Sequence, residues 1–221
     1  LQSGKVGPVR AARAFVTWKR DAAYYAQAPW RGRWATEGGG VMINQAIHTL
    51  DLLIWLAGRP GSVVGTIANR HLRQVIEVED TAEMQLTLAN GTTALFYATT
   101  AYAADAPVFL ELDCTDCRLR LEADRLELLD SKGQPLPDAR LQALLEREPA
   151  YVAPEQDCQA EAQQGKACWG NGHQPLVRAF YESLKPGGPS FLVDLASGSL
   201  ALQTLLALYA SDQAKTVIAI E

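Results

Sequence analysis

Nowhere do these 221 residues contain a strand–Gly-x-Gly-x-x-Gly–helix unit. That turn is what seats a dinucleotide pyrophosphate on a helix N-terminus, so no such site is expected within the chain itself. Gly38-Gly39-Gly40 is no substitute, because no parallel βαβ unit surrounds it. No apolar run approaches the roughly 20 residues that span a bilayer. Leu1-Gln2-Ser3-Gly4-Lys5 carries no hydrophobic signal segment. A cytoplasmic protein without membrane contact is therefore expected. The missing initiator methionine fits a chain shortened at its N-terminus. Lys and Arg number 20 against 25 Asp and Glu, a net charge of −5 with no basic stripe. Phosphate backbones require clustered cations, which argues against nucleic acid as a partner.

Cysteine is sparse. Cys114 and Cys117 form a Cys-x-x-Cys pair, but Cys158 and Cys168 are too distant and too widely spaced to complete a zinc site. The pair lies between two strand-like runs, not at a helix start, and reads as two thiols flanking a β-turn. No metal site is expected.

What is present suits a soluble globular domain: 48% hydrophobic and 20% charged residues, enough for a core without staples. Residues 8–20 read as a strand and 21–37 as an aromatic-rich loop. Residues 41–57 read as a helix, with Ile43, Ala46, Ile47, Leu50, Leu53, Ile54 and Ala57 in an arc of about 120°. Gly58 and Pro60 end it. Strands follow over 62–72, 80–88, 92–100, 108–113, 118–122 and 125–129, with Asn90-Gly91 as a hairpin turn. Residues 131–172 read as an irregular surface excursion with one short helix over 138–147. Two amphipathic helices over 174–184 and 195–212 and a strand over 216–220 close the chain. Strands in succession without intervening helices predict an α+β fold: one broad, mostly antiparallel sheet with helices on one face. A single domain over residues 1–221 is expected.

Asn44, His48 and Asp51 fall at i, i+4 and i+7, within about 60° of one another and opposite the apolar arc. Trp55 extends the stripe. Such a stripe is often only a solvated face. An imidazole between an amide and a carboxylate, however, can be held in one tautomer for proton transfer. The triglycine ahead of the helix lets another group approach its N-terminus closely. Arg31 and Arg33 flank Gly32 between Trp30 and Trp34, which suits an anionic or pyranose-bearing ligand through forked contacts and stacking. Lys19, Arg20, Tyr24 and Tyr25 are candidates for the same cleft, and His173 for its rim. His71 reads as structural or exposed.

The run Trp18…Tyr24-Tyr25…Trp30-Arg31-Gly32-Arg33-Trp34…Gly38-Gly39-Gly40-Val41…Asn44-Gln45-Ala46-Ile47-His48-Thr49-Leu50-Asp51 resembles the C-terminal domain of the glucose–fructose oxidoreductase / inositol dehydrogenase family. Trp169-Gly170-Asn171-Gly172-His173, then Arg178-Ala179-Phe180, and the ending Ala207-Leu208-Tyr209-Ala210-Ser211 are similar to its later segments. The resemblance spans nearly the whole chain, and its specific part is the Gly-Gly-Gly…His-x-x-Asp block. It implies a C-terminal domain of the glyceraldehyde-3-phosphate-dehydrogenase-like type, partner to a Rossmann domain that binds NAD or NADP. It further implies reversible oxidation of a secondary alcohol on a sugar, sugar nucleotide or cyclitol, with the fragment inactive alone.

On this resemblance His48 is the general acid/base. Asn44 stands where an Asp is common, able to orient a hydroxyl but not to take its proton. The lysine partner belongs to a Glu-Lys-Pro motif that the chain lacks. From the residues themselves, Arg31, Arg33, Trp34, Lys19, Tyr25, Asp51 and His173 are expected to face substrate, and Gly39 and Gly40 to approach cofactor. The sheet's outer face is the implied homo-oligomer interface, with Ala94, Phe96 and Ala98 as its apolar residues. A non-catalytic binding or assembly module of the same fold is the alternative.

Overall fold

The computed structural model of the chain describes residues 6–123, 125–137, 139–140, 143, 173–191 and 195–220. The chain divides into two compact units, Leu1–Pro137 with Ala196–Glu221, and Asp138–Leu195.

The first unit is built on an eight-stranded sheet: β1 (Val9–Thr17), β2 (Pro60–Ala68), β3 (Thr81–Leu88), β4 (Thr93–Thr99), β5 (Phe109–Cys114), β6 (Arg118–Glu122), β7 (Arg125–Leu129) and β8 (Ile218–Ala219). Their spatial order is β7-β6-β5-β1-β4-β3-β2-β8. Every pair is antiparallel except β1–β4, which runs parallel with Ala12 opposite Ala94 and Val16 opposite Ala98. Parallel neighbours need a long crossover. Between β1 and β4 the chain passes through three helices, α1 (Ala22–Ala26), α2 (Trp34–Glu37) and α3 (Ile47–Ala57), and through the β2–β3 hairpin. The α+β expectation of a mostly antiparallel sheet holds.

Strand alternation divides residues between two faces. Ala12, Ala14 and Val16 of β1, Met84 and Leu86 of β3, and Leu110 and Leu112 of β5 are buried on the inner face. There α5 (Leu195–Ala214) contributes Leu205 and Leu208, and α3 contributes Leu50 and Leu53. Gly65 in β2 leaves room for this packing: a Cβ there would press on Leu208. Ala94, Phe96 and Ala98 also lie on this inner face, at most 2% exposed, so they are core and not an oligomer surface. Alternation reveals two faces but not which one helices cover. The open face of β4 carries Thr93, Leu95 and Tyr97 instead.

Several local structures differ from the sequence expectation. The loop over 21–37 contains α1 and α2. Asp21 caps α1 by accepting the Tyr24 N–H at 3.1 Å, a side-chain cap of the usual kind. The helix over 41–57 begins with a π-helical turn, Met42–Ala46, before α3. Strand β2 stops at Ala68, because the following amides turn onto Asp80. Arg70, His71 and Leu72 donate N–H groups to its carboxylate at 2.7–3.1 Å, and Thr81 Oγ1 donates at 2.9 Å. Asn90-Gly91 makes the expected hairpin, with Gly91 at φ +83°. Cys114 and Cys117 are buried across a turn closed by Cys114 N–H donating to Cys117 O. Burial pushes the Cys114 thiol up to about 11. Among the described residues no three His, Cys, Asp or Glu side chains cluster as metal ligands.

Trp34–Ala57 has the length and apolarity of a bilayer span, yet 56% of its most apolar stretch is buried in the protein, as in a core helix. In the second unit α4 (His173–Ser183) packs Phe180 against Phe191 at 5.4 Å. Cys158, Cys168, Trp169–Gly172 and most of the helix expected over 138–147 lie outside the described residues.

The assignment of faces is testable by chemical denaturation. Phe96→Ala is expected to cost about 3–5 kcal/mol as a core deletion. Gln85→Ala on the open face should stay within about 0.5 kcal/mol of wild type.

Candidate functional site

The site grows from the glycine-led start of the π turn and α3. Glu79, immediately before β3, is 2% exposed, and its carboxylate faces the helix start. Gly40 N–H donates to Oε2 at 2.9 Å, and Met42 N–H to Oε1 at 3.1 Å. The hydroxyl of Tyr209, from α5, donates to Oε1 at 2.9 Å. Val41 N–H donates to the Glu79 carbonyl at 3.0 Å. The first amides of a helix lack intrahelical partners, and here an internal carboxylate satisfies them.

This explains two of the glycines. A Cβ on Gly40 would overlap the Glu79 carbonyl oxygen, and one on Gly39 would overlap the Tyr209 hydroxyl. Both glycines are buried. The close approach expected of a cofactor at Gly39 and Gly40 is made from inside the protein. Trp34 meets the ring of Tyr209 edge-on, with centroids 5.5 Å apart, and donates its indole N–H to the Glu77 carbonyl at 3.0 Å.

Burial pushes the Glu79 carboxyl above the ordinary carboxylate range, against the pull of its donors. Tyr209 is raised too, by burial and then by the neighbouring Glu79 charge.

Asn44 lies inside the π turn and is half-buried. Its side-chain N–H donates to Glu37 Oε1, while Gly32 N–H donates to Glu37 Oε2. His48 and Asp51 are exposed on α3, and Trp55 is 76% exposed. No described side chain or backbone group bonds to the His48 imidazole. The π turn, which changes the 3.6-residue spacing on which the stripe was drawn, accounts for Asn44 sitting deeper than the other two.

Arg33 is exposed and paired with Glu77 at 2.6 Å. Lys19 is exposed, with its backbone N–H donating to Asp105 at 2.7 Å. Tyr25 is 6% exposed and packs with Ile76 and Val78, so it lies within the core instead of on a cleft wall; burial raises its hydroxyl to about 12. His173 begins α4 of the second unit, and its side chain lies outside the described residues.

Sequence reasoning missed a stack of alternating cations and rings. Arg20 lies over Trp18 and Tyr24, each at 5.1 Å, and Arg31 lies over Tyr24 at 4.2 Å and Trp30 at 5.3 Å. Gln45 Nε2 donates to Tyr24 OH at 3.3 Å and ties the stack to the π turn. Glu79 and Asp80 were missed as well. An adjacent acid pair at a strand start carries no signal of burial when its donors come from distant segments.

Together these features define an α+β open-sheet domain that presents a glycine-led helix with a free histidine. Residues 1–120 match the GFO/IDH/MocA C-terminal domain family, and the chain belongs to that family. It is similar to the WlbA dehydrogenase from Bordetella pertussis in complex with NADH and UDP-GlcNAcA (TM-score 0.76, 25% identity, covering 100% of this chain and 59% of that one). It also resembles an Agrobacterium radiobacter oxidoreductase in complex with NAD+, L-tartaric acid and magnesium (0.72, 18%, 99% and 59%). A third similar structure is levoglucosan dehydrogenase with NADH (0.68, 18%, 100% and 60%). The chain thus spans about three-fifths of these proteins' length. No curated protein sequence matched it. The neighbours' NADH and NAD+ agree with the nicotinamide cofactor that the resemblance implies.

Two expectations follow from the Glu79 contacts. Gly39→Ala should cost about 1–3 kcal/mol, and less in a Tyr209→Phe background where the obstructing hydroxyl is gone. Gly40→Ala meets backbone and should cost more than Gly39→Ala in the same denaturation assay. The second expectation concerns pH. A folded-state pKa raised above the unfolded one stabilises fully below the unfolded value and ceases to do so as pH rises through the folded value. The melting temperature of wild type relative to Glu79→Gln should therefore fall as pH rises above about 4. A difference that stays flat contradicts it.

Proposed function

We propose that this chain is the substrate-side domain of an NAD(P)-dependent oxidoreductase that acts on a secondary alcohol of a sugar, sugar nucleotide or cyclitol. Family membership and the dehydrogenase neighbours support the reaction class. The single observation that carries the site is His48: exposed, unbonded among the described residues, and fixed on a helix whose start is locked by Glu79.

The described residues offer no dinucleotide cradle, since Tyr209 and Glu79 occupy the space beside Gly39 and Gly40. A nicotinamide, when bound, would supply the hydride chemistry. The part of this chain is proton transfer and orientation. His48 takes the proton of the substrate hydroxyl as general base, or returns it in the reverse direction. Asn44 is an amide and cannot take that proton. With its N–H spent on Glu37, its oxygen can accept from a substrate hydroxyl and fix its direction. Alone, the chain is inactive on this reading. Its open face, where Phe15, Val64, Leu95 and Tyr97 border a hollow of about 400 Å³, supports homo-oligomer formation in place of the residues first expected there.

The test is NMR titration of the chain with UDP-sugars, hexoses and inositols, following the imidazole resonances. A productive ligand should shift His48 while leaving exposed His71 unmoved, and His48→Ala should abolish the signal. Equal response of the two histidines, or none, favours the non-catalytic module. Light scattering tests the assembly: Leu95→Arg should reduce an oligomer to monomer, and a wild-type protein that is already monomeric at high concentration contradicts it.

A further inference from the structure

The face of the sheet that α3 and α5 leave uncovered carries a carboxylate that solvent scarcely reaches. Leu110 and Leu112 of β5 point inward, so Glu111 between them points outward, yet its side chain is only 6% exposed. Arginines cover it. In register across the strands it has Arg13 of β1 on one side and Arg120 of β6 on the other. Arg13 donates Nε and Nη2 to Oε1 at 3.0 and 2.7 Å, and Arg120 donates Nε to Oε2 at 3.0 Å. Both carboxylate oxygens are thereby taken.

The next row of the same face is built differently. Thr93 of β4, Ala11 of β1, Asp113 of β5 and Arg118 of β6 stand side by side. Ala11 is the shortest of the four and is exposed, and a hollow of about 450 Å³ opens over it, bordered by Arg13, Leu95, Thr93, Asp113 and Arg118. Asp113 is paired with Arg10 at 3.2 Å. Arg118 is held loosely by both acids: its Nε lies 3.9 Å from Glu111 Oε1 and 3.7 Å from Asp113 Oδ1. Neither distance is a hydrogen bond. Among the described residues the Arg118 guanidinium donates none, and its side chain is 30% exposed beside Arg13 at 48%. The guanidinium groups of Arg10, Arg13, Arg118 and Arg120 thus share two carboxylates. That local excess of positive charge stands on a chain whose net charge is −5. Leu95, 52% exposed, adds an apolar wall.

We propose that this hollow binds a small organic acid: Arg118, with the unbonded end of Arg13, takes the carboxylate, and Leu95 and Ala11 take the carbon chain. The surplus cation is accessible, and its planar fork matches a carboxylate. The site lies across the sheet from the helix that carries His48, and it does not depend on the oxidoreductase reading.

The test is calorimetric titration of the chain at low salt with glutarate, inorganic phosphate and the neutral pentanediol of the same chain length. Concentrations are kept where light scattering shows one species, so that assembly at the neighbouring apolar hollow does not contribute. Glutarate should bind about tenfold or more tighter than pentanediol, and the margin should shrink with added salt. It should also exceed phosphate, which has no carbon chain to lay on Leu95. Arg118→Gln should remove most of the margin, and Arg118→Lys should keep only part of it, since charge persists without the fork. Leu95→Ser should weaken glutarate by about threefold or more. Arg125→Gln, at an exposed pair on β7, should leave binding intact, with melting curves confirming that each variant is folded. Pentanediol binding as tightly as glutarate, a margin that both Arg118 variants leave undiminished, or no binding of any of the three overturns the proposal. Phosphate binding as tightly as glutarate overturns the choice of an organic acid.

Discussion

A buried carboxylate, Glu79, holds the glycine-led helix in place. Charge in a protein interior is costly unless hydrogen bonds replace water. Glu79 meets that requirement with the Gly40 and Met42 amides and the Tyr209 hydroxyl. The same contacts join β3, the start of the π turn and α5. Next to it, Asp80 gathers three successive amides of residues 70–72, and its carbonyl accepts from Thr100 N–H. Two neighbouring acids thus fix the entry to α3 and the loop that covers Tyr25 and Gly32. Gly39 and Gly40 are glycines because this arrangement leaves no room for a Cβ.

That anchoring decides which groups of the helix stay accessible. The helix start is saturated from within, so its amides are not available to a ligand. The side chains further along are the accessible ones: Asn44, half-buried and bonded to Glu37, then His48 and Asp51 at the surface. The π turn sets Asn44 deeper than His48, and Gln45, in the same turn, reaches back to Tyr24. The π turn that leads into the His48 helix and the cation–aromatic stack are thereby tied together.

Much of this was legible in the sequence, and the limits have physical causes. Period-two alternation and Asn90-Gly91 gave β3 and β4, and the apolar arc from Ile43 to Ala57 gave the helix. Alternation did not reveal that Ala94, Phe96 and Ala98 face inward, because cover by α3 and α5 is a tertiary fact. The parallel β1–β4 pairing joins segments some 80 residues apart. The π turn uses residues equally suited to an α-helix. His48 and Asn44 were singled out because the glycine block precedes them. Glu79 was not found, since an acid before a strand looks the same in sequence whether solvated or buried. Arg31 was singled out alongside Arg33, and only the structure shows that Arg33 is paired with Glu77 while Arg31 stacks on Tyr24 and Trp30.

The most direct measurement of the anchoring is amide hydrogen exchange at Gly40, Val41 and Met42. In wild type these amides should be protected to the level of the central strands β1 and β4. In Glu79→Ala, Gly40 and Met42 should exchange like exposed amides while the strands keep their protection. Rapid exchange at Gly40 and Met42 in wild type, or protection undiminished in Glu79→Ala, would contradict the account.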